Sequence, residues 1–483
     1  MANRKLLLPM VGMLAAFAGC GDEAALDDRS VTTVHGALTV QTLGSHLPGI
    51  SDADFAAAAA NFAAVEDLSD GLGPIFNERA CGACHTNGAL GGAGENTERR
   101  FGTLRNGFFD PLASEGGTLR QLFSVARFNN PNLPASSRRF PGNPTLCSVP
   151  VEVEPPDATI HNVGRQTTPL FGGGLVEAIP DSVIIGLQAI QPPAIRGVVS
   201  TVPLIFPNPA DPTQHIGDLR VGRFGWKAGI ATLVQFSADA YSNEMGITTQ
   251  SCFRGTSILA FAVENAPNAL SVPSATVPDG CDDLAPRNSA ATAAAIGLPG
   301  PQGMETDDIV GSCADGRTEV QDDVAAFTTF VTFLAPPPRD FSDQISITRG
   351  QPLFAQVGCA GCHVETTFHT PAQPVNGVPG NFAFNPYSDF LLHDMGSLGD
   401  RIGSAPPDDP AQGGGDTIAD TRRMRTAPLW GLRFRNRLLH DGRFSDVASA
   451  VRAHDGQGLA ARNAFVNLSA ADQHAVVQFV RSL

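Results

Sequence analysis

Two pentapeptides constrain this chain more than anything else in it: Cys81-Gly-Ala-Cys84-His85 and Cys359-Ala-Gly-Cys362-His363. In a CxxCH site the two thiols add to the vinyl groups of a haem, and the following histidine lies beneath the iron as its proximal ligand. Chance would give on the order of 0.004 such motifs at this chain's Cys and His frequencies, so two are no accident. The spacing therefore predicts two covalently bound c-type haems. Cys81, Cys84 and His85 hold haem one, and Cys359, Cys362 and His363 hold haem two. The competing reading, one zinc ion shared by the two CxxC pairs, leaves both histidines without a role.

The N-terminus predicts export. Arg4 and Lys5 precede an apolar stretch, Leu6 to Ala18, that is too short to span a bilayer as a mature helix. Phe17-Ala-Gly-Cys20 reads as a lipoprotein cleavage box, with Cys20 as a lipid anchor and the periplasm or cell envelope as the destination. Ordinary cleavage nearby is the alternative. Of nine cysteines, Cys147, Cys252, Cys281 and Cys313 remain after Cys20 and the two motifs, an even number in an oxidising compartment. They are read as two disulfides, and sequence proximity favours Cys281–Cys313 with Cys147–Cys252. A net charge of −16 argues against nucleic acid, whose phosphates need a positive surface. It suits a small basic protein partner.

Gly and Pro are abundant, which predicts long irregular connections around a modest set of helices. Residues 1–20 are read as the signal peptide and 21–50 as a mobile segment. A haem domain with insertions is expected over 51–335 and a second over 340–483, separated at Pro336-Pro-Pro338. Helices are expected over Ser51–Leu68, over 319–334, over Ser445–His454 and over Ser469–Leu483. The halves repeat each other. Pro74-Ile-Phe76 stands before Cys81 as Pro352-Leu-Phe354 stands before Cys359, and Arg165-Gln-Thr-Thr-Pro-Leu-Phe-Gly172 echoes Arg425-Thr-Ala-Pro-Leu-Trp-Gly431. Arg165 and Arg425 hold equivalent places, suited to pairing with haem propionates.

Further segments carry a resemblance. Pro169-Leu-Phe-Gly-Gly-Gly-Leu-Val-Glu177, Gly222-Arg-Phe-Gly-Trp-Lys227, Asp389-Phe-Leu-Leu-His-Asp-Met-Gly396 and His440-Asp-Gly-Arg443, with the motifs above, resemble the bacterial di-haem oxidoreductase family. That family is similar to di-haem cytochrome c peroxidases and haem rubber oxygenases. The resemblance implies a mainly α fold of two cytochrome c-like domains, the first with long loop-rich insertions and room for a few strands. It also implies a sixth ligand for haem two. His454 lies fourteen residues after His440, where related peroxidases carry Met, so haem two is read as His363/His454. A helix-end surface histidine is the bland alternative, and Met395, beside His393 and Asp394, is the rival ligand. The calcium-binding Thr-x-Pro of related peroxidases reads Arg435-Asn-Arg437 here, so calcium is not expected.

Haem one is where the chemistry is expected. Glu177 is the acid–base candidate, able to move a proton between peroxide oxygens; an ordinary turn residue is the alternative. His161 is a second distal candidate. Trp226 and Trp430 are the two tryptophans, and Trp226 is read as an electron-carrying indole against the plainer reading of core packing. The function expected is an exported oxidoreductase. A small donor such as a cytochrome or cupredoxin reduces bis-His haem two, and haem one reduces peroxide or a similar small oxidant. Two rivals stand beside it: an oxygenase that cleaves an organic substrate with O2, and a non-enzymatic electron carrier.

Overall fold

Ser51 begins the first helix as its spacing predicts: its Oγ accepts the Asp54 amide at 3.1 Å and caps α1, Asp52–Phe62. Phe55 and Phe62 fall on one face and both are buried. The helix stops at Phe62 rather than Leu68, because the chain turns back and the Glu66 amide bonds the Arg79 carbonyl at 2.7 Å. The computed structural model describes residues 42–66, 72, 75–95, 97–112, 117–124, 152–204, 214–247, 249–253, 256–261, 322–403 and 415–483. Cys20, Cys147, Cys281, Cys313 and the side chain of Cys252 lie outside the described residues, and the lipid-anchor and disulfide expectations lie there with them.

The remaining helices are α2 (Cys81–Cys84), α3 (Gly173–Glu177), α4 (Asp181–Ile190), α5 (Leu233–Met245), α6 (Asp322–Phe333), α7 (Gln344–Gln356), α8 (Ile418–Thr421), α9 (Val447–Arg452), α10 (Leu459–Val466) and α11 (Ala470–Ser482). None of the helices among the described residues is long and apolar enough to cross a membrane. α1, α5 and α6 enclose the larger apolar core, where the Phe62 ring meets Phe330 at 4.7 Å and Tyr241 meets Phe327 at 5.1 Å. Burying one such ring contributes about 1.5–3 kcal/mol, so Phe330→Ala would cost about 3–5 kcal/mol with its cavity. This core also takes Phe368, Phe384, Phe390 and Trp430 from beyond the proline run. A smaller core joins α7, α9, α10 and α11 around Phe354, Phe465 and Phe479.

The halves share a plan. The helix before each CxxCH motif, α1 or α7, packs on the last helix of its half, α6 or α11. The second crossing is close at Gly350, where a Cβ would lie 2.0 Å from the Ala475 carbonyl oxygen. The Arg165 and Arg425 elements also match in shape. Each arginine stands at the end of a strand, Arg165 one residue before the close of Ile160–Gln166 and Arg425 last in Arg423–Arg425, and each following Pro-Leu-aromatic run ends on a left-handed glycine, Gly172 at φ +71° and Gly431 at φ +66°. Each glycine then starts a helical turn, α3 or the 3-10 turn Leu432–Phe434.

Strands are more widespread than the expected mainly α fold allowed. Thr97–Arg105 pairs antiparallel with Phe108–Asp110, Leu119–Arg120 and Ile160–Gln166, making a four-stranded sheet. The second half, for which no strand was named, pairs Phe368–His369 with Ala383–Phe384 and Leu392–Asp394 with Arg423–Arg425. The fold is mixed for a physical reason: long connections buried against a core must satisfy their N–H and C=O groups, and short pairings do so.

Candidate active site

The second CxxCH motif lies at the end of α7, with Cys359 packed against the smaller core. His363 Nδ1 is fixed by the Tyr387 carbonyl at 2.9 Å, which leaves Nε2 as the ligand atom. His454, just past the end of α9, is held the same way: its Nδ1 donates to the Ala450 carbonyl at 2.9 Å. The two imidazoles are close enough to act on each other. Burial pushes His363 down to about 4, the Tyr387 carbonyl opposes this, and the charge of His454 adds to the lowering. His454 is likewise lowered, chiefly by burial. Both are therefore neutral at pH 7, the form that binds a metal. Met395 is a near neighbour, since a Cβ on Gly458 would lie 3.2 Å from His454 Cβ and 3.5 Å from Met395 Cε.

His393 belongs to a different arrangement. Both of its ring nitrogens are occupied, Nε2 by Asp389 at 2.9 Å and Nδ1 by Cys362 Sγ at 3.7 Å. Burial would lower its pKa, but the hydrogen bonds to Asp389 and Cys362 outweigh that and lift it to about 10. Gln191 Nε2 ties the same Asp389 carboxylate, at 2.7 Å, to the Gly361 carbonyl, at 2.9 Å. The connection after α4 is thus stitched to the second motif.

The first motif forms α2 itself, and Cys81 packs against the larger core. His85 Nδ1 bonds the Gly92 carbonyl at 3.1 Å, the Thr168 carbonyl lies close by, and the Phe62 ring meets the imidazole edge-on at 5.9 Å. Burial holds His85 down to about 4. The loop after it is glycine-rich out of necessity, because a Cβ on Gly94 would lie 1.7 Å from the Cys84 carbonyl oxygen.

A small cavity of about 50 Å³ is lined in part by Thr168. Its apolar walls, including Phe171, Leu233 and Val331, belong to the larger core, on which Cys81 and also Val364, the residue after the second motif, pack. Trp226, Trp430, Arg223, Arg425 and Arg435 also line it. Trp226 joins the two repeat elements: its indole N–H donates to the Gln166 carbonyl at 2.8 Å, and its carbonyl accepts the Arg425 amide at 2.8 Å. The His440 ring stands 6.3 Å from the indole. Glu177 is buried at the end of α3 but is not on the wall, although Gly173 and Val176 are. Arg223 donates to the carbonyls of Val176, Glu177 and Ile179 and so fixes the corner that carries Glu177.

Other expected residues lie elsewhere. The Arg165 Nε donates to Asp400 at 2.7 Å, and Lys227 meets the other carboxylate oxygen at 2.8 Å, all three buried. Burial lowers Lys227 to about 8 despite Asp400. His161 is exposed and paired with Glu154 at 2.9 Å. Sequence spacing did not single out Asp400, Asp389, Gln191 or Arg435. For Arg435, its place in Arg433-Phe-Arg-Asn-Arg437 before His440 was the available signal.

The residues fit two haems: two thiols and a carbonyl-anchored imidazole at each centre, and a second imidazole at one. None of the curated proteins compared with the chain matches it. Among solved structures it is similar to the hydrazine synthase of Kuenenia stuttgartiensis pressurised with xenon, at 11% identity over 100% of both chains and a TM-score of 0.32. The family described as "Di-haem oxidoreductase, putative peroxidase" matches residues 157–292 and 302–483. Those residues hold Arg165, Glu177, Trp226, the second CxxCH motif and His454, while the first motif precedes them. The chain belongs to this di-haem oxidoreductase family and is an enzyme.

Proposed function

We propose that the chain is an exported enzyme of the periplasm or cell envelope, anchored by lipid at Cys20. A small electron-donor protein, a cytochrome or cupredoxin, serves its C-terminal centre, and a peroxide or similar small oxidant meets its N-terminal centre. When bound, the haems supply electron storage at the second centre and reduction of the oxidant at the first. Cys81, Cys84, Cys359 and Cys362 hold them covalently as thioethers. His363 and His454 would both ligate the iron at the second centre, whereas His85 would supply one ligand at the first. Arg425 pairs with a propionate, Trp226 offers an indole for electron passage, and Glu177 holds and moves the proton that peroxide cleavage needs. Each half is read as cytochrome c-like, and the helix crossings α1–α6 and α7–α11 support that.

One observation carries the reading. His454 acts on His363, while no second histidine acts on His85 among the described residues. The test is a pyridine haemochrome assay with intact mass, followed by EPR and absorption spectra of the isolated protein. Two haems per chain are expected, one low-spin and one high-spin, and the high-spin signal should change on adding peroxide or cyanide. One haem, bound zinc, or two low-spin haems indifferent to peroxide after reduction would overturn the proposal.

A further inference from the structure

The hydrogen bonds around His393 fix where its protons lie once the second motif carries a haem. Asp389 is buried, its Oδ2 accepts Gln191 Nε2 at 2.7 Å, and its Oδ1 accepts the Leu391 amide at 3.0 Å. The Gln191 side chain cannot be turned round, because its Oε1 accepts the Gly197 amide at 2.8 Å and its Nε2 donates to the Gly361 carbonyl at 2.9 Å. A carboxyl met by donors on both oxygens is held as the carboxylate. His393 Nε2, 2.9 Å from the same Oδ2, therefore carries a hydrogen. The other ring nitrogen, Nδ1, lies 3.7 Å from Cys362 Sγ. A thiol there could donate to it, but a thioether has no hydrogen to give and is an acceptor alone. Either Nδ1 then brings its own hydrogen, or a buried acceptor faces a sulfur lone pair at a cost in free energy. A ring with hydrogen on both nitrogens is an imidazolium.

The two charges reach the iron's proximal ligand. Asp389 and His393 act on His363 in opposite senses, the carboxylate more strongly. A bare buried carboxylate at that place would favour ferric iron, and a cation beside it offsets that. We infer that His393 stands as an imidazolium against the Cys362 thioether and holds up the potential of haem two. Two imidazole ligands by themselves give a low potential, so this residue keeps haem two within reach of a small donor. The inference rests on the proposal that haem two is bound through Cys362. Cys362, Asp389 and His393 also lie close enough together to hold a metal ion. A thioether is not the thiolate that such an ion takes, and the test separates the two.

The experiment uses full-length holoprotein with His393→Leu and His393→Gln. Peptide mass and metal content come first: a wild type with no haem on Cys362 would defeat the functional proposal and the inference with it. Potentiometric titration with EPR then reads each haem. In His393→Leu the reduction equilibrium of the low-spin haem should fall about tenfold, about 59 mV for one electron. Its g-values, which report the two imidazole ligands, should stay as in wild type, and the other haem should not move. His393→Gln keeps an N–H donor without the charge and should fall in the same direction by less. If the low-spin haem is present and its potential is unchanged or raised, the haem reading stands and the inference falls. Equal shifts in both haems would also overturn it, as would altered g-values, which would make His393 a support for a ligand. So would a metal ion beyond the two irons that both variants lose. If His393→Leu does not assemble, His393→Gln carries the same redox test.

Discussion

Trp430 of the second repeat element lies directly over Gly172 of the first: a Cβ on that glycine would sit 2.6 Å from two atoms of the indole. The contact has a partner relation in the backbone, since Gly431, the next residue after Trp430, shares the left-handed conformation of Gly172. The two Pro-Leu-aromatic-Gly elements are therefore interlocked, with an indole of one filling the space that a side chain would take on the other.

Gly172→Ala tests that interlock. The left-handed conformation alone costs a residue with a Cβ about 1–2 kcal/mol, and overpacking against the buried indole adds about 1–3 kcal/mol. Urea unfolding should show a loss of at least about 2 kcal/mol, with both haems still attached. A loss of no more than about 1 kcal/mol, the low end of the backbone term alone, would mean that Trp430 moves aside freely and that the close approach has no energetic weight.

His454→Met should keep both haems and raise the potential of one, because a His/Met pair favours ferrous iron more than two imidazoles do. The motive is the shared geometry of His363 and His454, each with Nδ1 on a backbone carbonyl at 2.9 Å. Potentiometric titration with EPR reads it. If the low-spin signal and both potentials match the wild type, Met395, adjacent to His454 at Gly458, is the ligand to test next.

The legible parts of this protein are those written in short spacings. Ser51 with Asp54, and Ser469 with Asp472, are caps a few residues long, and both form. The two Arg-to-Gly repeat elements were visible because a left-handed turn demands a glycine at a fixed place. Arg165 shows where such reading stops. Its place in the repeat suggested a propionate partner; its Nε donates to Asp400, 235 residues away, and no local pattern announces that pairing. The strands of the second half were invisible for a related reason: Leu392–Asp394 and Arg423–Arg425 are too short to show a period of two.

The Asp400 pairing makes its own prediction. Asp400→Asn leaves Arg165 and Lys227 as buried cations without their shared carboxylate, and breaking such a pair costs about 3–5 kcal/mol. Burial would raise the Asp400 pKa, but Arg165 and Lys227 hold it well below the usual carboxylate range. A carboxylate depressed in the folded state contributes stability that is present above its unfolded value, about 3.9, and is lost as pH falls through the folded value. Wild-type stability should therefore drop below about pH 4, and Asp400→Asn, already weaker, should show a shallower fall. Urea midpoints between pH 3 and 7 decide it; parallel curves would mean that the carboxylate titrates elsewhere.

Glu177 offers the sharpest test of chemistry. It is buried at the end of α3, at a corner fixed by the Arg223 guanidinium on the Val176, Glu177 and Ile179 carbonyls, while Gly173 and Val176 of the same helix line the cavity. A positioned acid–base contributes about 10²–10⁴-fold, so Glu177→Gln should slow peroxide turnover by that order. The amide preserves size and hydrogen bonding, so haem content and the potential of the low-spin haem should stay as in wild type. Stopped-flow decay of peroxide, read beside a haemochrome assay on the same samples, separates proton transfer from packing. Wild-type turnover in Glu177→Gln would make Glu177 a structural residue of the α3–α4 corner. The proton would then have to come from another part of the site, and His440, its ring 6.3 Å from the Trp226 ring on the cavity wall, is the next group to examine. His161 would not qualify, because it is exposed and engaged with Glu154.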